Sequence, residues 1–368
     1  MPSFIPGLEL NRQFYFSHVK PILEKHYPKL KYSVARIGFG SDVLGFDTER
    51  STDHDWGPRL ELFLSENDFK KLKDEISNYF SKELPSKFLG YSTHFGEPDE
   101  KGVRVVEQIT EGYVNHRIEI QTLDSFFNKI LGINPNSELS ELDWLSLPEQ
   151  RLLSVTKGEV YHDGLMKLIE IRKKFSYYPE DIWYYLLAKQ WDIIAEEMAF
   201  LGRAAELGDE LNLELLVINQ IKKIMKLCFL MEKSYAPYNK WFGIAFKNLN
   251  CSQQLTPIFK KIIWEKDWNK KQKFLIEVYN NIATLHNKLK ITNSIDIKIT
   301  PFHNRPYLII NAVDFANNIR TKIKSKILLD ENFKIGSINQ ISNETFILED
   351  LKLIKRFYSS FQKDFSRK

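Results

Sequence analysis

The chain of 368 residues reads as an α+β protein: a small mixed β-sheet flanked by helices, then a mainly helical domain, then a C-terminal hairpin with helices. Three observations predict this. Tyr32 to Ile37 (YSVARI) has the β-branched and aromatic character of a buried strand, breaks at Gly38, Gly40 and Ser41, and is followed by a second strand ending in Leu60, Leu62 and Leu64. After about Ser125 the apolar residues recur at helical spacing. Beyond residue 290 alternation returns. These changes of pattern predict domains at 1–148, 149–290 and 291–368.

In order, Leu8 to His26 is an amphipathic helix interrupted by Pro21, which should cover one side of the sheet. Lys31 to Gly38 and His54 to Leu64 are the first two strands, and Asn67 to Lys82 the helix that follows. Val103 to Ile109 and Tyr113 to Thr122 read as a strand pair joined around Glu111-Gly112. Asp124 to Leu131 and Leu139 to Leu147 are short helices, and Val155 to Asp163 an irregular or extended link. Tyr178-Pro179 starts a long helix through Gly202 with an apolar stripe at Trp183, Leu187, Trp191, Ile194, Met198 and Leu201. Its other side carries Lys189, Asp192, Glu196 and Arg203, the composition of a solvated face. Further helices run over Leu211 to Lys233 and Ile262 to Leu289, with Trp264 and Trp268 expected in the core. Ser294 to Phe302 and Tyr307 to Asn311 form a hairpin, and helices follow from Asp314 and Leu348.

The stretch from Gly38 to Pro58 carries the candidate chemistry. Glycines at a strand's end let the backbone approach a ligand and turn N–H groups toward an anion, and the Ser41 hydroxyl adds a donor. Asp53 and Asp55, two apart at the start of a strand, would share a face. Carboxylates that close repel unless a cation lies between them, and hard oxygen ligands suit Mg²⁺. A dinucleotide turn is a poor match, because position 43 is Val43 and Gly45 comes two residues late. A calcium loop fails at Pro58 and Leu64. The plainer alternative is an acidic turn that merely precedes a strand. On the later strand Arg117, Glu119 and Gln121 share a face, as they also would on an ordinary polar edge strand. Lys240 and Tyr238 follow an aromatic turn at Pro237 and are candidates for meeting a triphosphate or base, with Arg117 and Lys157 as other phosphate partners; a packed aromatic elbow with a surface lysine reads equally well.

Gly40-Ser41, Gly45 and Asp53-His54-Asp55 resemble the signature of the nucleotidyltransferase superfamily, which includes DNA polymerase beta and kanamycin nucleotidyltransferase. FIPGLEL, GSDVLGFD with DHDWGPR, YYPEDIWYYLLAKQW and YAPYNKWFGIAF are similar to a bacterial family of uncharacterised nucleotidyltransferase-like proteins, from Phe4 to about Phe357. The resemblance implies a nucleotidyltransferase-fold domain and a Mg²⁺-dependent enzyme that moves a nucleoside monophosphate, AMP from ATP, to a hydroxyl and releases pyrophosphate. It implies two Mg²⁺ ions held by Asp53, Asp55 and a third carboxylate, for which Glu119 is the choice and Glu107 the fallback. By likeness to the antibiotic-modifying members, Glu196 is the candidate general base. The acceptor is expected to be a small molecule; a toxin-like modifier of tRNA or protein, or a non-catalytic nucleotide-binding module, are the alternatives. Asp42 departs from the pattern, since many members carry a basic residue there. His54 should point away from the aspartates.

Composition bounds the partners. A formal charge of +4 over this length is too slight to argue for duplex nucleic acid. Two cysteines, Cys228 and Cys251, are no disulfide framework. MPSFIPGLEL lacks the basic start and apolar run of a signal peptide, and no segment reaches a membrane span. The sequence therefore predicts a cytoplasmic protein.

Overall fold

A computed structural model describes residues 3–100, 104–109, 112–331 and 333–365. The fold is mixed α+β. The chain separates into two compact units, residues 1–138 with 151–176, and residues 139–150 with 177–368.

The first unit is built on four strands, β1 (Tyr32–Arg36), β2 (Arg59–Leu64), β5 (Arg117–Gln121) and β6 (Glu159–Asp163), ordered β5-β2-β1-β6. β1 lies antiparallel to β2 and β6, and β2 parallel to β5. Two short strands, β3 (Lys87–Phe88) and β4 (Tyr91–Ser92), pair separately. Alternation gives the sheet an apolar face: Tyr32, Val34, Leu60, Leu62, Leu64, Ile118 and Ile120 pack in one core. Over it lie Leu10 and Phe14 of α1 (Gly7–Phe14), Ile22 and Leu23 of α2 (Lys20–His26), and Ile76 and Phe80 of α4 (Glu66–Glu83). Pro21 does not split the helical run. A π turn over Tyr15–Val19 shifts the hydrogen-bond ladder ahead of it and absorbs its missing N–H.

Three sequence expectations are corrected here. The second strand begins at Arg59 and not at His54, because residues 49–53 form a 3₁₀ turn and Asp55 takes a left-handed backbone, φ 45°. Residues 104–107 do not pair with Tyr113 to Thr122: the Gly96 N–H donates to the Val105 carbonyl at 2.9 Å and the Glu107 N–H to the His94 carbonyl at 3.0 Å, and β5 pairs with β2. Of that expected pair and its turn, residues 103, 110 and 111 lie outside the described ones. The supposed link at Val155 to Asp163 contains β6, an edge strand against β1. Its return to the sheet puts 151–176 in the first unit, so the division does not fall at 148.

The sheet's other face takes α5 (Leu123–Leu131), whose Phe126 ring meets Phe63 edge-on at 5.4 Å. α3 (Ser41–Leu44), α7 (Glu149–Thr156) and α8 (Leu168–Lys174) complete this part of the chain, and α6 (Glu141–Ser146) opens the second unit.

The second unit centres on a helical hairpin, α9 (Glu180–Glu206) and α10 (Glu210–Met231), turned by Gly208 at φ 66°. All six residues of the expected stripe are buried. Trp191 stacks on Phe315 of a later helix, α14 (Ala312–Arg320), with centroids 4.6 Å apart. Around it lie α11 (Asn239–Phe246), α12 (Ser252–Trp264), α13 (Trp268–Lys288), the hairpin β7 (Ile299–Pro301) and β8 (Leu308–Ile310), and α15 to α17 (Ile338–Ile341, Thr345–Glu349 and Leu351–Phe365). Lys271 is buried because Glu214 receives its ammonium at 2.5 Å. Trp264 is 78% exposed, against expectation: it closes α12, where the chain turns away. Among the described residues no helix is long and apolar enough to cross a membrane.

Glu149 is a half-buried charge of this unit. Its carboxylate accepts the Ala236 N–H at 2.5 Å, near the rings of Tyr177, Tyr178 and Tyr235. Burial pushes its pKa up to about 7, although the Ala236 N–H and the Lys226 ammonium oppose the rise. A group that holds its proton more tightly folded than unfolded makes stability fall as pH rises between the two values. Glu149→Gln keeps an acceptor for Ala236 without the ionisation. Raising pH from 5 to 8 should therefore cost the parent chain about 1–3 kcal/mol more unfolding free energy than the Gln variant, measured by urea denaturation.

Candidate functional site

β1 runs out at Arg36, and the turn that follows contains Gly38 at φ 92° and Gly40 at φ 150° before Ser41 opens α3. The space beneath the turn is already filled. Asp42, 1% exposed, takes Arg36 Nε at 2.6 Å on one oxygen, and Arg36 Nη2 at 2.8 Å and Arg59 Nη2 at 3.0 Å on the other. The same arginines cap carbonyls of the turn: Arg36 donates to Ile37 at 2.8 Å and to Phe39 at 3.0 Å. Gly40 has to be glycine, because a Cβ there would run into Asp42, Arg36 and Arg59.

This explains the departure at position 42. Its side chain faces inward, where it holds two cations in place. Burial alone would raise the Asp42 pKa, but the flanking guanidinium groups of Arg36 and Arg59 outweigh it and bring the carboxyl down to about 2. Arg59, almost entirely buried, is lowered to about 10 by burial and by the neighbouring Arg36, against the pull of Asp42. Its Nε has no hydrogen-bond partner. Asn11 of α1 accepts the Arg59 backbone N–H at 2.6 Å and so fixes where β2 begins.

The sheet face opposite the apolar core is polar at its β2–β5 edge. Arg59, Glu61 and Phe63 alternate onto it, and the parallel register sets Arg59 beside Arg117 and Glu61 beside Glu119. Gln121 donates to Glu61. Burial raises the Glu61 pKa to about 7; Arg36 opposes the rise and Glu119 adds to it. Glu119 is 54% exposed at its side chain. Together they are one carboxylate poised near neutrality and another open to solvent, which suits proton transfer.

The aspartate pair is arranged otherwise than expected. Asp53 ends the 3₁₀ turn, exposed, with His54 Nδ1 at 2.8 Å, so His54 turns toward its neighbour and not away. Asp55 is bound by Arg117 Nη1 at 2.6 Å, and the same guanidinium has its Nε 3.7 Å from Glu119. Because the strand starts four residues after Asp55, strand alternation does not aim the two aspartates together. As a donor set for Mg²⁺, Asp53, Asp55 and Glu119 do not fit in this arrangement: an arginine already bridges two of them, and the third is turned to a histidine. Among the described residues no three His, Cys, Asp or Glu side chains gather to hold a metal ion.

The other expected residues lie elsewhere. Glu107 and Lys157 are exposed in the first unit. Glu196, Tyr238 and Lys240 belong to the second. Glu196 is exposed on α9, Tyr238 precedes α11 with its N–H on Gln150 at 3.1 Å, and the Lys240 ammonium lies over the Trp241 ring at 4.8 Å. The sequence reading missed Arg36, Arg59 and Glu61. One signal was available: in RLELFL a glutamate and an arginine sit at alternate positions of an otherwise apolar strand.

Residues 144–242 match the model of a domain of unknown function, DUF4037. That segment covers about a quarter of the chain; it takes in β6 but leaves out the turn and strands β1, β2 and β5. A solved structure, a nucleotidyltransferase-like protein from Exiguobacterium sibiricum 255-15, is similar at 10% identity, covering 86% of this chain and 89% of that one, with a TM-score of 0.30. A likeness so slight carries no argument about this chain. No curated protein matches it.

Asp42→Asn should remove the charge that holds both arginines and destabilise the first unit by about 3–5 kcal/mol in urea denaturation. The folded pKa lies below the ordinary 3.8, so the carboxylate's contribution is complete above that value and lost as pH falls toward 2. The difference between parent and variant should shrink over that acid range.

Proposed function

We propose that this chain is a nucleotidyltransferase that moves a nucleoside monophosphate, AMP from ATP, onto a hydroxyl acceptor with release of pyrophosphate. What supports the reading is one arrangement in the first unit: a strand, a Gly-Ser turn and a second strand, with Glu61 and Glu119 abreast on neighbouring strands. The donor base and a small-molecule acceptor follow from the resemblance of the sequence to that superfamily.

In this proposal the partly exposed Arg117 attracts the polyphosphate at the sheet edge. Glu119, exposed, takes the proton of the acceptor hydroxyl. The freed oxygen forms a bond to the α-phosphorus, the bond to the pyrophosphate oxygen breaks, and pyrophosphate leaves with its electron pair. Glu61 stands beside Glu119 on the neighbouring strand, where burial and the like charge of Glu119 raise its own pKa to about 7. The Mg²⁺ ions implied by the resemblance would neutralise phosphate charge when bound; Asp53 and Asp55 would have to leave His54 and Arg117 to hold them.

The purified chain, incubated with each α-³²P nucleoside triphosphate, Mg²⁺ and cell extract, should transfer label to an acceptor. Glu119→Gln should slow transfer by roughly 10²–10⁴-fold, the usual contribution of a positioned base. Equal labelling by parent and variant would remove Glu119 from the mechanism, and no transfer beyond that of extract alone would remove the enzymatic reading.

A further inference from the structure

Cys228 and Cys251, too few for a disulfide framework, are neighbours in the second unit. Cys228 lies on α10 and is fully buried, and Cys251, immediately before α12, is 5% exposed. Glu232 brings them together. It stands one helical turn after Cys228, and its N–H donates to the Cys228 carbonyl at 3.0 Å, so the two side chains share a face of the helix. One oxygen of its carboxylate accepts the Cys251 N–H at 2.8 Å, and the other accepts from the Asn250 N–H at 2.7 Å and Asn250 Nδ2 at 3.0 Å. That grip lays the backbone of Cys251 against the turn that carries Cys228. The two thiols meet in a hydrogen bond.

A buried cysteine on its own behaves as a small apolar side chain, but two thiols in contact can lose two electrons together and join. Here the backbone on both sides is already held in place, on one side by the helical ladder of α10 and on the other by the Glu232 carboxylate. The sulfurs can then approach by side-chain rotation, without the chain having to move.

We propose that Cys228 and Cys251 form a reversible disulfide when the chain meets hydrogen peroxide. Cys251, the more accessible, reacts first. Its thiolate attacks a peroxide oxygen, the O–O bond breaks, and the hydroxide that leaves takes up the thiol proton as water. Cys228 then gives up its proton and attacks the Cys251 sulfur, the S–O bond breaks, and a second water leaves. Two thiols are oxidised and one peroxide is reduced to two waters. Its hydrogen bond to Cys251, burial and the charge of Glu232 hold the Cys228 thiol well above its ordinary pKa, which keeps it protonated until its neighbour has been oxidised. The bond closes residues 228–251 into a loop that contains α11 and ties the start of α12 to the end of α10.

The full-length chain, reduced and then held in millimolar hydrogen peroxide, should lose about 2 Da of intact mass and show no free thiol to alkylation in urea. Dithiothreitol should restore both, and peptide mapping should place the bond between Cys228 and Cys251. In urea the oxidised chain should have an unfolding constant about 10²-fold smaller than the reduced one, as a closed loop of this length gives. Cys228→Ser should trap Cys251 as a sulfenic acid that dimedone labels, and Cys251→Ser should leave Cys228 a free thiol. Thiols that stay free in the parent, a bond between chains, oxidation without a bond, an oxidised chain no more resistant to urea, or dimedone label on Cys228 in Cys251→Ser each overturn the proposal.

Discussion

The buried carboxylate of Asp42 between Arg36 and Arg59 is the constraint on which the first unit depends. It joins the end of β1, the start of β2 and the turn after β1 in one charged cluster closed off from water. Desolvating three charges is costly, and two cations against one anion leave the cluster short of negative charge. The imbalance is met partly by carbonyl oxygens of Ile37 and Phe39, which also determines the path of the turn. The glycines follow from this crowding as much as from any ligand.

A second arginine cluster continues the pattern toward the sheet edge. Arg117 sits beside Arg59 on the next strand and draws Asp55 to itself, which fixes the left-handed corner before β2. The positive charge at this end of the sheet is thus held by acids from the loop, while Glu61 and Glu119 remain further along the strands. Arg117 also reaches Glu119, its Nε 3.7 Å away, so the cationic and anionic ends of the edge meet there.

What could be read beforehand depended on range. The β1 strand, the break at Gly38 and Gly40, and the stripe from Trp183 to Leu201 are local patterns, and each was legible because burial and backbone alternation act within a few residues. Residues 49–58 were not. Apolar alternation is absent there, and the shape follows from partners far along the chain: Asp47 receives Gly7 N–H and Trp56 Nε1, and Arg117 takes Asp55. Glu61 illustrates the same limit. Its position was visible in RLELFL, but its companionship with Glu119 required knowing that β2 pairs with β5, 58 residues on in register. Likewise β6 looked like a link because EVYHD, with two acids and a histidine, has little of a strand's composition; edge pairing with β1 supplies the order that composition does not.

That returning strand has a practical consequence for anyone dividing the chain. A fragment stopped at residue 148 would strip β6 from β1 and leave the N–H and C=O groups of Tyr32 to Arg36 without their partners on that side. Such an open border recruits other strands, so the truncated piece should self-associate into insoluble material. The boundaries that respect the sheet lie after Ser176, and a soluble excised domain would have to carry the 151–176 segment with it.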